Sequence, residues 1–151
     1  MLPQELKAVD RLVAAHFYQC LMEFFSTNDS EKWILLLRHE EKGTLEFLLD
    51  IDEYYSFVSG LKQCINAALN SQSTPGVSMM HNTIARDLET TQSNSGAISI
   101  ISVWDDEPNV QFNFYQNEND RESITTLIYA LEDAMKLHDL YCEAYNRREY
   151  A

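Results

Sequence analysis

Apolar residues recur at helical spacing at the two ends of the chain. Near the start they stand at Leu6, Val9, Val13, Phe17, Cys20, Leu21 and Phe24. This spacing predicts an amphipathic helix over residues 3–26, with Pro3 in its first turn. Near the end a second stripe consists of Ile124, Leu127, Ile128, Leu131, Met135, His138 and Tyr141. These positions predict a long final helix that ends near residue 145, capped by Asn119-Asp120 or by Ser123.

Two other stretches carry the pattern of β-hairpins. WILLLRH (33–39) and TLEFLLD (44–50) flank the turn EEKG, and AISIISV (97–103) and VQFNFY (110–115) flank the acidic stretch WDDEP. Short apolar runs separated by charged and turn-forming residues are typical of paired strands. After the first hairpin, Asp52 is a candidate N-cap for a helix that continues to residue 69.

Residues 70–96 are rich in Ser, Thr, Asn and Gln, and Pro75-Gly76 marks a turn. The composition predicts a polar linker, with a short helix over residues 78–90. A connection of this length is unusual within a compact domain and is often functional.

The two hairpins also resemble each other. Residues Trp33 to Leu49 align without a gap on Ile98 to Phe114, which places Phe47 over Phe112. The alignment predicts two ββα units, 33–69 and 97–145, with both phenylalanines buried at equivalent positions. The expected fold is therefore a single α+β domain over residues 1–151. It has an N-terminal helix followed by four mainly antiparallel strands, with the helices packed on one face.

The second hairpin predicts a sheet with one wet face. Val110, Phe112 and Phe114 alternate with Gln111, Asn113 and Tyr115, as expected for a strand that is buried on one side. The first hairpin is apolar on both sides instead. One layer of helices cannot cover both sides, and this predicts a homodimer.

The charge balance restricts the class of partner. The chain carries 24 Asp and Glu against 11 Lys and Arg, a net charge of -13. Such a field repels nucleic-acid phosphates and anionic membranes, and it favours a basic protein partner. Three widely spaced cysteines argue against a disulfide framework. The N-terminus lacks the apolar core of a signal peptide, so a cytoplasmic location is expected.

No arrangement of residues indicates catalysis. The four histidines form no metal-ligand spacing, the four glycines form no phosphate-binding loop, and no nucleophile motif is present. We therefore predict no enzyme activity, no cofactor and no bound metal. The carboxylates of Asp105, Asp106 and Glu107 could hold a hard cation, but neighbouring side chains on a strand end point in different directions.

The acidic stretch between the last two strands has three interpretations. It is a solvated turn like EEKG, a metal site, or part of a docking surface. For docking, an aromatic ring supplies contact area and the acids supply steering. The predicted contact surface consists of Trp104, Asp105, Asp106, Glu107, Tyr115 and Tyr129.

These features favour a small acidic protein-binding module. The leading hypothesis is an inhibitor that covers a basic surface of its partner, as toxin immunity proteins and phage anti-defence proteins do. One alternative is a chaperone that binds a secreted effector. The chain is similar to type III secretion chaperones in its size, its acidity and its mixture of helices and hairpins, but it lacks a third strand between the first hairpin and the helix after it. A second alternative is a metal-dependent hydrolase that uses Asp105, Asp106 and Glu107.

Overall fold

The computed structural model describes residues 6–73, 82–91, 93–105 and 107–147. Along these residues the chain forms eight strands and two α-helices, in the order ββββα and then ββββα again. The strands are β1 (Ala8–Phe17), β2 (Cys20–Thr27), β3 (Lys32–His39), β4 (Gly43–Asp50), β5 (Asn82–Thr90), β6 (Gly96–Asp105), β7 (Glu107–Tyr115) and β8 (Ile124–Ala130). The helices are α1 (Ile51–Ser73) and α2 (Leu131–Arg147), and a 3-10 turn over Arg121–Ser123 precedes β8.

The strands form one antiparallel sheet in which each strand pairs with the next along the chain. The join between β4 and β5 is short, because the pairing found there is limited to Phe47 with Thr90 and Leu48 with Glu89 in the described part of the chain. The sheet therefore consists of two four-stranded halves that meet at a narrow junction, and one helix follows each half.

Both helices pack on the same face of the sheet. Alternate strand residues point toward them, and the core includes Met22 and Phe24 of β2, Leu35 and Leu37 of β3, Phe47 and Leu49 of β4, and Phe112 and Phe114 of β7. From α1 come Tyr54, Phe57 and Leu61, and from α2 come Leu137 and Tyr141. Neither helix, over its described length, is long and apolar enough to cross a membrane.

The opposite face, which we call the open face, differs between the two halves. In the first half Ile34, Leu36 and Leu48 form a small buried cluster, with Leu6 and Phe25 packed against it. The chain thus buries the second apolar side of the first hairpin without a second copy. An exposed apolar side of the first hairpin was the basis for predicting a homodimer, and this basis is removed. The oligomeric state itself stays a prediction.

The predicted N-terminal helix is wrong. Residues 8–27 form the hairpin β1–β2, in which Phe17 pairs with Cys20 across a two-residue turn. Register shifts between Ala8 and Val13 interrupt the alternation of β1. The helical spacing of its apolar residues does not mark one buried side, because Val13 lies in the core whereas Val9 is 60% exposed.

The predicted linker and final helix are also corrected. Residues 82–90 form strand β5 where a linker with a short helix was predicted, and positions 78–81 of that helix lie outside the described residues. Residues 124–130 form β8, so the final helix begins only at Leu131. Thr125, Leu127 and Tyr129 of β8 are buried on alternate positions, as in a strand with one buried face.

The chain repeats its order of elements, but the sequence alignment of the two hairpins is one strand out of register with that repeat. The hairpins β3–β4 and β6–β7 lie where sequence places them, and Phe47 and Phe112 are both fully buried in the same core. However, β4 is the last strand of its half and β7 is the third strand of the other. The two units are therefore ββββα rather than ββα, and the two phenylalanines do not occupy equivalent places.

Gly96 lies at the junction of the two halves, where a larger residue has no room. A β-carbon added at this position would lie 2.5 Å from Cγ2 of Thr90 and 2.9 Å from the carbonyl oxygen of Leu88. Thr90 cannot easily move its methyl group away, because the residue is fully buried and its Oγ1 is hydrogen-bonded to the backbone of Ser93. The Leu88 carbonyl belongs to the backbone of β5. We expect Gly96→Ala to lower the free energy of unfolding in urea by about 1 to 2 kcal/mol.

Gly43 provides the control for this prediction. It has a left-handed φ of +81°, and a β-carbon there would meet nothing within 4 Å. Asparagine tolerates that φ, so Gly43→Asn is expected to change stability by less than about 1 kcal/mol. Equal unfolding midpoints for Gly96→Ala and the wild type would show that the junction is not tightly packed.

Candidate functional site

Strand β6 ends at Asp105 and strand β7 begins at Glu107, and we call residues 105–107 the acidic tip. Trp104 pairs with Pro108 and Asp105 pairs with Glu107 along the two strands, and Glu107 is exposed. Asp106 lies outside the described residues. The predicted hairpin end is therefore present, and its backbone brings Asp105 and Glu107 together.

Tyr115 does not lie beside the acidic tip. It is the last residue of β7, whereas Glu107 is the first. Eight residues of extended strand span about 26 Å at the usual rise of about 3.3 Å per residue. The predicted contact residues therefore occupy opposite ends of one strand and cannot form one compact patch.

Tyr129 lies in the core and not on a contact surface. Tyr129 is 3% exposed. The centre of its ring lies 4.5 Å from that of Phe17 and 5.4 Å from that of Phe112. Burial raises the pKa of its hydroxyl far above the ordinary value, with smaller contributions from Cys20 and Asp133. We therefore remove Tyr129 from the contact surface.

The strand register places the acidic tip near the start of α2. Asn109 of β7 pairs with Ala130, the last residue of β8, and α2 begins at the next residue. Glu107 lies two residues beyond Asn109 on the same strand. Glu107 and the first-turn acids of α2 consequently lie at the same end of the molecule.

The exposed side of α2 combines carboxylates with apolar side chains. At 100° per residue, Glu132, Asp139 and Glu143 fall within about 40° of one another, and all three are exposed. Met135 and Leu140 border them on the two sides and are each 41% exposed. We call these five residues the α2 face. Within its arc Lys136 pairs with Glu132, at 3.6 Å.

A polar groove lies on the open face of the second half. It has a volume of about 470 Å³ and is lined by Arg86, Ala97, Ser99, Ile101, Asn113, Tyr115, Glu118, Arg121 and Ile124. Ser99, Asn113 and Thr126 are register neighbours across β6, β7 and β8. The Gln111 side-chain amide donates to Oδ1 of Asn113 at 3.0 Å, and the Thr126 hydroxyl donates to the same atom at 2.9 Å.

Charged side chains lie at the rim of this groove. Nε of Arg86 lies 3.5 Å from Oε1 of Glu118. The other carboxylate oxygen of Glu118 is buried and has no hydrogen-bond partner among the described residues. The backbone amide of Glu118 donates to the carbonyl of Ser95 at 2.7 Å, which fixes the loop that carries this carboxylate.

A second cleft, of about 420 Å³, lies between the first half of α1 and strands β5 and β6. Two acids of this cleft, Asp50 and Glu53, cap the N-terminus of α1. The Asp50 backbone amide donates to Oε1 of Glu53 at 2.9 Å, and the Glu53 amide donates to Oδ1 of Asp50 at 2.8 Å. This reciprocal pair is a capping box, so the N-cap is Asp50 rather than Asp52.

One cysteine and one histidine approach each other on α2. Sγ of Cys142 lies 3.3 Å from Nε2 of His138. Burial raises the pKa of the thiol and lowers the pKa of the imidazole, and the Lys62 charge also lowers the imidazole pKa. At neutral pH both groups are therefore uncharged, whereas a nucleophilic cysteine needs a thiolate. The pair is a structural contact.

Sequence reasoning missed the charged part of the groove. Arg86 belongs to the stretch predicted as a linker, and Glu118 and Arg121 belong to the region predicted as a helix cap. A strand assignment for residues 82–90 would have placed Arg86 on the same sheet as Tyr115. Asn113 and Tyr115 were predicted on the wet face, which is the face that carries the groove.

Among the described residues no cluster of three or more His, Cys, Asp or Glu could hold a metal ion. The chain matches no protein-family model, no curated protein and no solved structure.

Proposed function

We propose that this protein is a small acidic binding module that covers a basic surface of a partner protein, in the manner of an inhibitor or an immunity protein. Its contact surface comprises the acidic tip and the α2 face. The partner is a protein that presents lysine or arginine side chains around an apolar patch.

The observation that carries this proposal is the composition of the α2 face. Met135 and Leu140 offer apolar area to a partner, and Glu132, Asp139 and Glu143 lie between them. Protein interfaces combine apolar contacts with charges that guide association. Met135 and Leu140, each 41% exposed, can supply the apolar part of such a contact on either side of the acids.

The acidic tip and the overall charge support the same proposal. Glu107 lies at the same end of the molecule as the first turn of α2, which carries Glu132 and Asp133. With a net charge of -13, the chain attracts a basic partner over several ångströms before contact. Electrostatic attraction of this kind raises association rates and depends strongly on salt.

Affinity capture with matched variants tests the proposal. The first variant neutralises the α2 face through Glu132→Gln, Asp139→Asn and Glu143→Gln. The second neutralises the acidic tip through Asp105→Asn and Asp106→Asn. The control carries Glu31→Gln, Glu40→Gln and Glu41→Gln, three exposed positions in the β2–β3 and β3–β4 turns. It loses as many negative charges as the first variant.

We expect the wild type and the control to retain the same basic protein from an extract of the source cells. The α2-face variant should bind it roughly tenfold more weakly, which corresponds to about 1.4 kcal/mol. The tip variant should slow association and flatten its dependence on salt. Equal retention by the α2-face variant and the control would remove the assigned surface. Capture of no basic protein by the wild type would contradict the proposed function.

A further inference from the structure

We propose that the groove on the open face of β5–β8 binds a small carboxylate that also carries a hydrogen-bond donor, such as an α-amino acid or an α-hydroxy acid. This site is separate from the α2 face, which lies on the helical side of the sheet. The inference therefore does not depend on the proposed function.

Asn113 supplies a fixed donor at the floor of the groove. It is 6% exposed, and both Gln111 and Thr126 donate to its Oδ1. These two bonds fix the side-chain amide, so that its Nδ2 group is left without an acceptor among the described residues. An amide donor held in this way is suited to a carboxylate oxygen of a ligand.

The charge of the groove differs in sign from that of the whole chain. Arg86 and Arg121 line it together with one carboxylate, that of Glu118, so the lining carries one net positive charge whereas the whole protein carries -13. Arg86 is paired with Glu118, and the Arg121 guanidinium has no ion-pair partner within the described ranges. A guanidinium binds a carboxylate through two parallel hydrogen bonds.

Glu118 explains why the ligand needs a donor as well as a carboxylate. Its Oε2 is buried and lacks a hydrogen-bond partner among the described residues. A buried acceptor of this kind is unfavourable until a donor reaches it. The Glu118 side chain is 32% exposed, so a turn of its carboxylate toward the groove would let an ammonium or hydroxyl group next to the ligand carboxylate provide that donor.

The apolar part of the lining limits the size and character of the ligand body. Ala97, Ile101 and Ile124 contribute to the groove, and Tyr115 stands at one end. A volume of about 470 Å³ lies in the lower part of the range of ligand sites. A branched aliphatic side chain fits these surroundings, and leucine is therefore the first probe.

Four related probes test the assignment in titrations followed by ¹H–¹⁵N spectra of the whole chain. Leucine and 2-hydroxy-4-methylpentanoate carry both the carboxylate and a donor. The compound 4-methylpentanoate carries the carboxylate alone, and 3-methylbutylamine carries the donor alone. We expect leucine, the hydroxy acid or both to shift amides of β6, β7 and the 116–123 segment at millimolar concentration. The acid without a donor should bind several-fold more weakly, and the amine should not bind.

Variants separate the two parts of the site. Arg121→Gln should weaken binding of the donor-bearing acids at least tenfold, whereas Arg147→Gln, which removes the same charge from the end of α2, should leave it unchanged. Glu118→Ala should abolish the preference for leucine or its hydroxy analogue over 4-methylpentanoate. Both arginines are exposed, so these substitutions are not expected to affect folding.

Three outcomes would overturn the proposal. One is the absence of amide shifts with all four probes at about 10 mM, ten times the concentration at which a millimolar site is half-filled. Another is equal binding by the wild type and Arg121→Gln. The third is equal affinity for leucine, its hydroxy analogue and 4-methylpentanoate, which would reject the role of Glu118.

Discussion

Replacing either Phe47 or Phe112 by alanine is expected to lower the free energy of unfolding by about 3 to 5 kcal/mol. Both side chains are fully buried in the core between sheet and helices. The Phe112 ring lies 5.4 Å from the ring of Tyr129 and 6.0 Å from that of Phe114, and Phe47 also lies 6.0 Å from Phe114. Because these rings pack against one another, the cavity left by alanine cannot close easily.

Urea unfolding followed by circular dichroism measures this loss, with Ile128→Ala as the control. Ile128 is 49% exposed on β8, so its truncation should change stability by less than about 0.5 kcal/mol. Phe47 also pairs with Thr90 at the narrow junction, and its loss should affect both halves of the sheet. A cost below about 1 kcal/mol at either phenylalanine would contradict the packing described here.

Replacing Glu23 by glutamine is expected to cost about 2 to 3 kcal/mol at neutral pH, since hydrogen bonds to a charged group are stronger than neutral ones. Glu23 lies on the open face, and its side chain is 7% exposed. Its two carboxylate oxygens accept from Nε of Arg38 at 2.8 Å and from an Nη atom of Arg11 at 3.2 Å. Glutamine keeps the size of the side chain but loses the charge and one of the two acceptors.

The pH dependence gives this prediction a clear sign. Burial alone would raise the pKa of Glu23, but the hydrogen bonds and charges of Arg38 and Arg11 together hold that pKa below the ordinary 4.5. A carboxylate with a lowered pKa contributes stability above its unfolded pKa and loses it as the pH falls through the folded pKa. The difference in free energy of unfolding between the wild type and Glu23→Gln should therefore be constant down to about pH 5 and disappear at lower pH.

Glu46 provides a control with the opposite sign. It faces Leu36, which in turn faces Glu23, so all three lie in one row across the sheet. Burial raises the pKa of Glu46, and the Arg38 charge opposes that rise only in part. Glu46→Gln should leave stability at neutral pH unchanged or increase it. If Glu23→Gln still lowers the free energy of unfolding at pH 2, the loss of stability is steric and does not come from the charge.

Two β-hairpins and one helix could be predicted because their turns carry the expected residues. The turn EEKG supplies Gly43, which adopts a φ of +81° that other residues avoid. The β1–β2 turn has no such signal, because Tyr18 takes a left-handed φ of 52°. A tyrosine in this conformation is not expected from sequence, and the spacing of the apolar residues therefore predicts a helix where the chain forms a hairpin.

The boundary between β8 and α2 was hidden for a related reason. The strand passes into the helix between Ala130 and Leu131 without a turn residue. Ile124, Leu127, Ile128 and Leu131 fit a helical period, whereas the structure buries Leu127 and leaves Ile128 in solvent. Periodicity alone cannot separate a short strand from the first turns of a helix that continues it.

The site was predictable only in part. Alternation along β7 identified the wet face with Asn113 and Tyr115, because the period of a strand shows which residues share a side. The charges around the groove come from two separate segments, strand β5 with Arg86 and the β7–β8 connection with Glu118 and Arg121, and only the strand order brings them together. Tyr129 was misplaced because its segment was predicted as a helix.

Hydroxyl-radical footprinting of the complex with the captured basic partner tests the central claim most directly. Met135 is 41% exposed on the α2 face, and its thioether oxidises readily. Tyr18, at the β1–β2 turn, is 82% exposed and serves as the reference. The proposed function predicts that the partner slows oxidation of Met135 and modification of Leu140 and leaves Tyr18 unchanged. Unchanged oxidation of Met135 in the saturated complex would contradict binding through the α2 face.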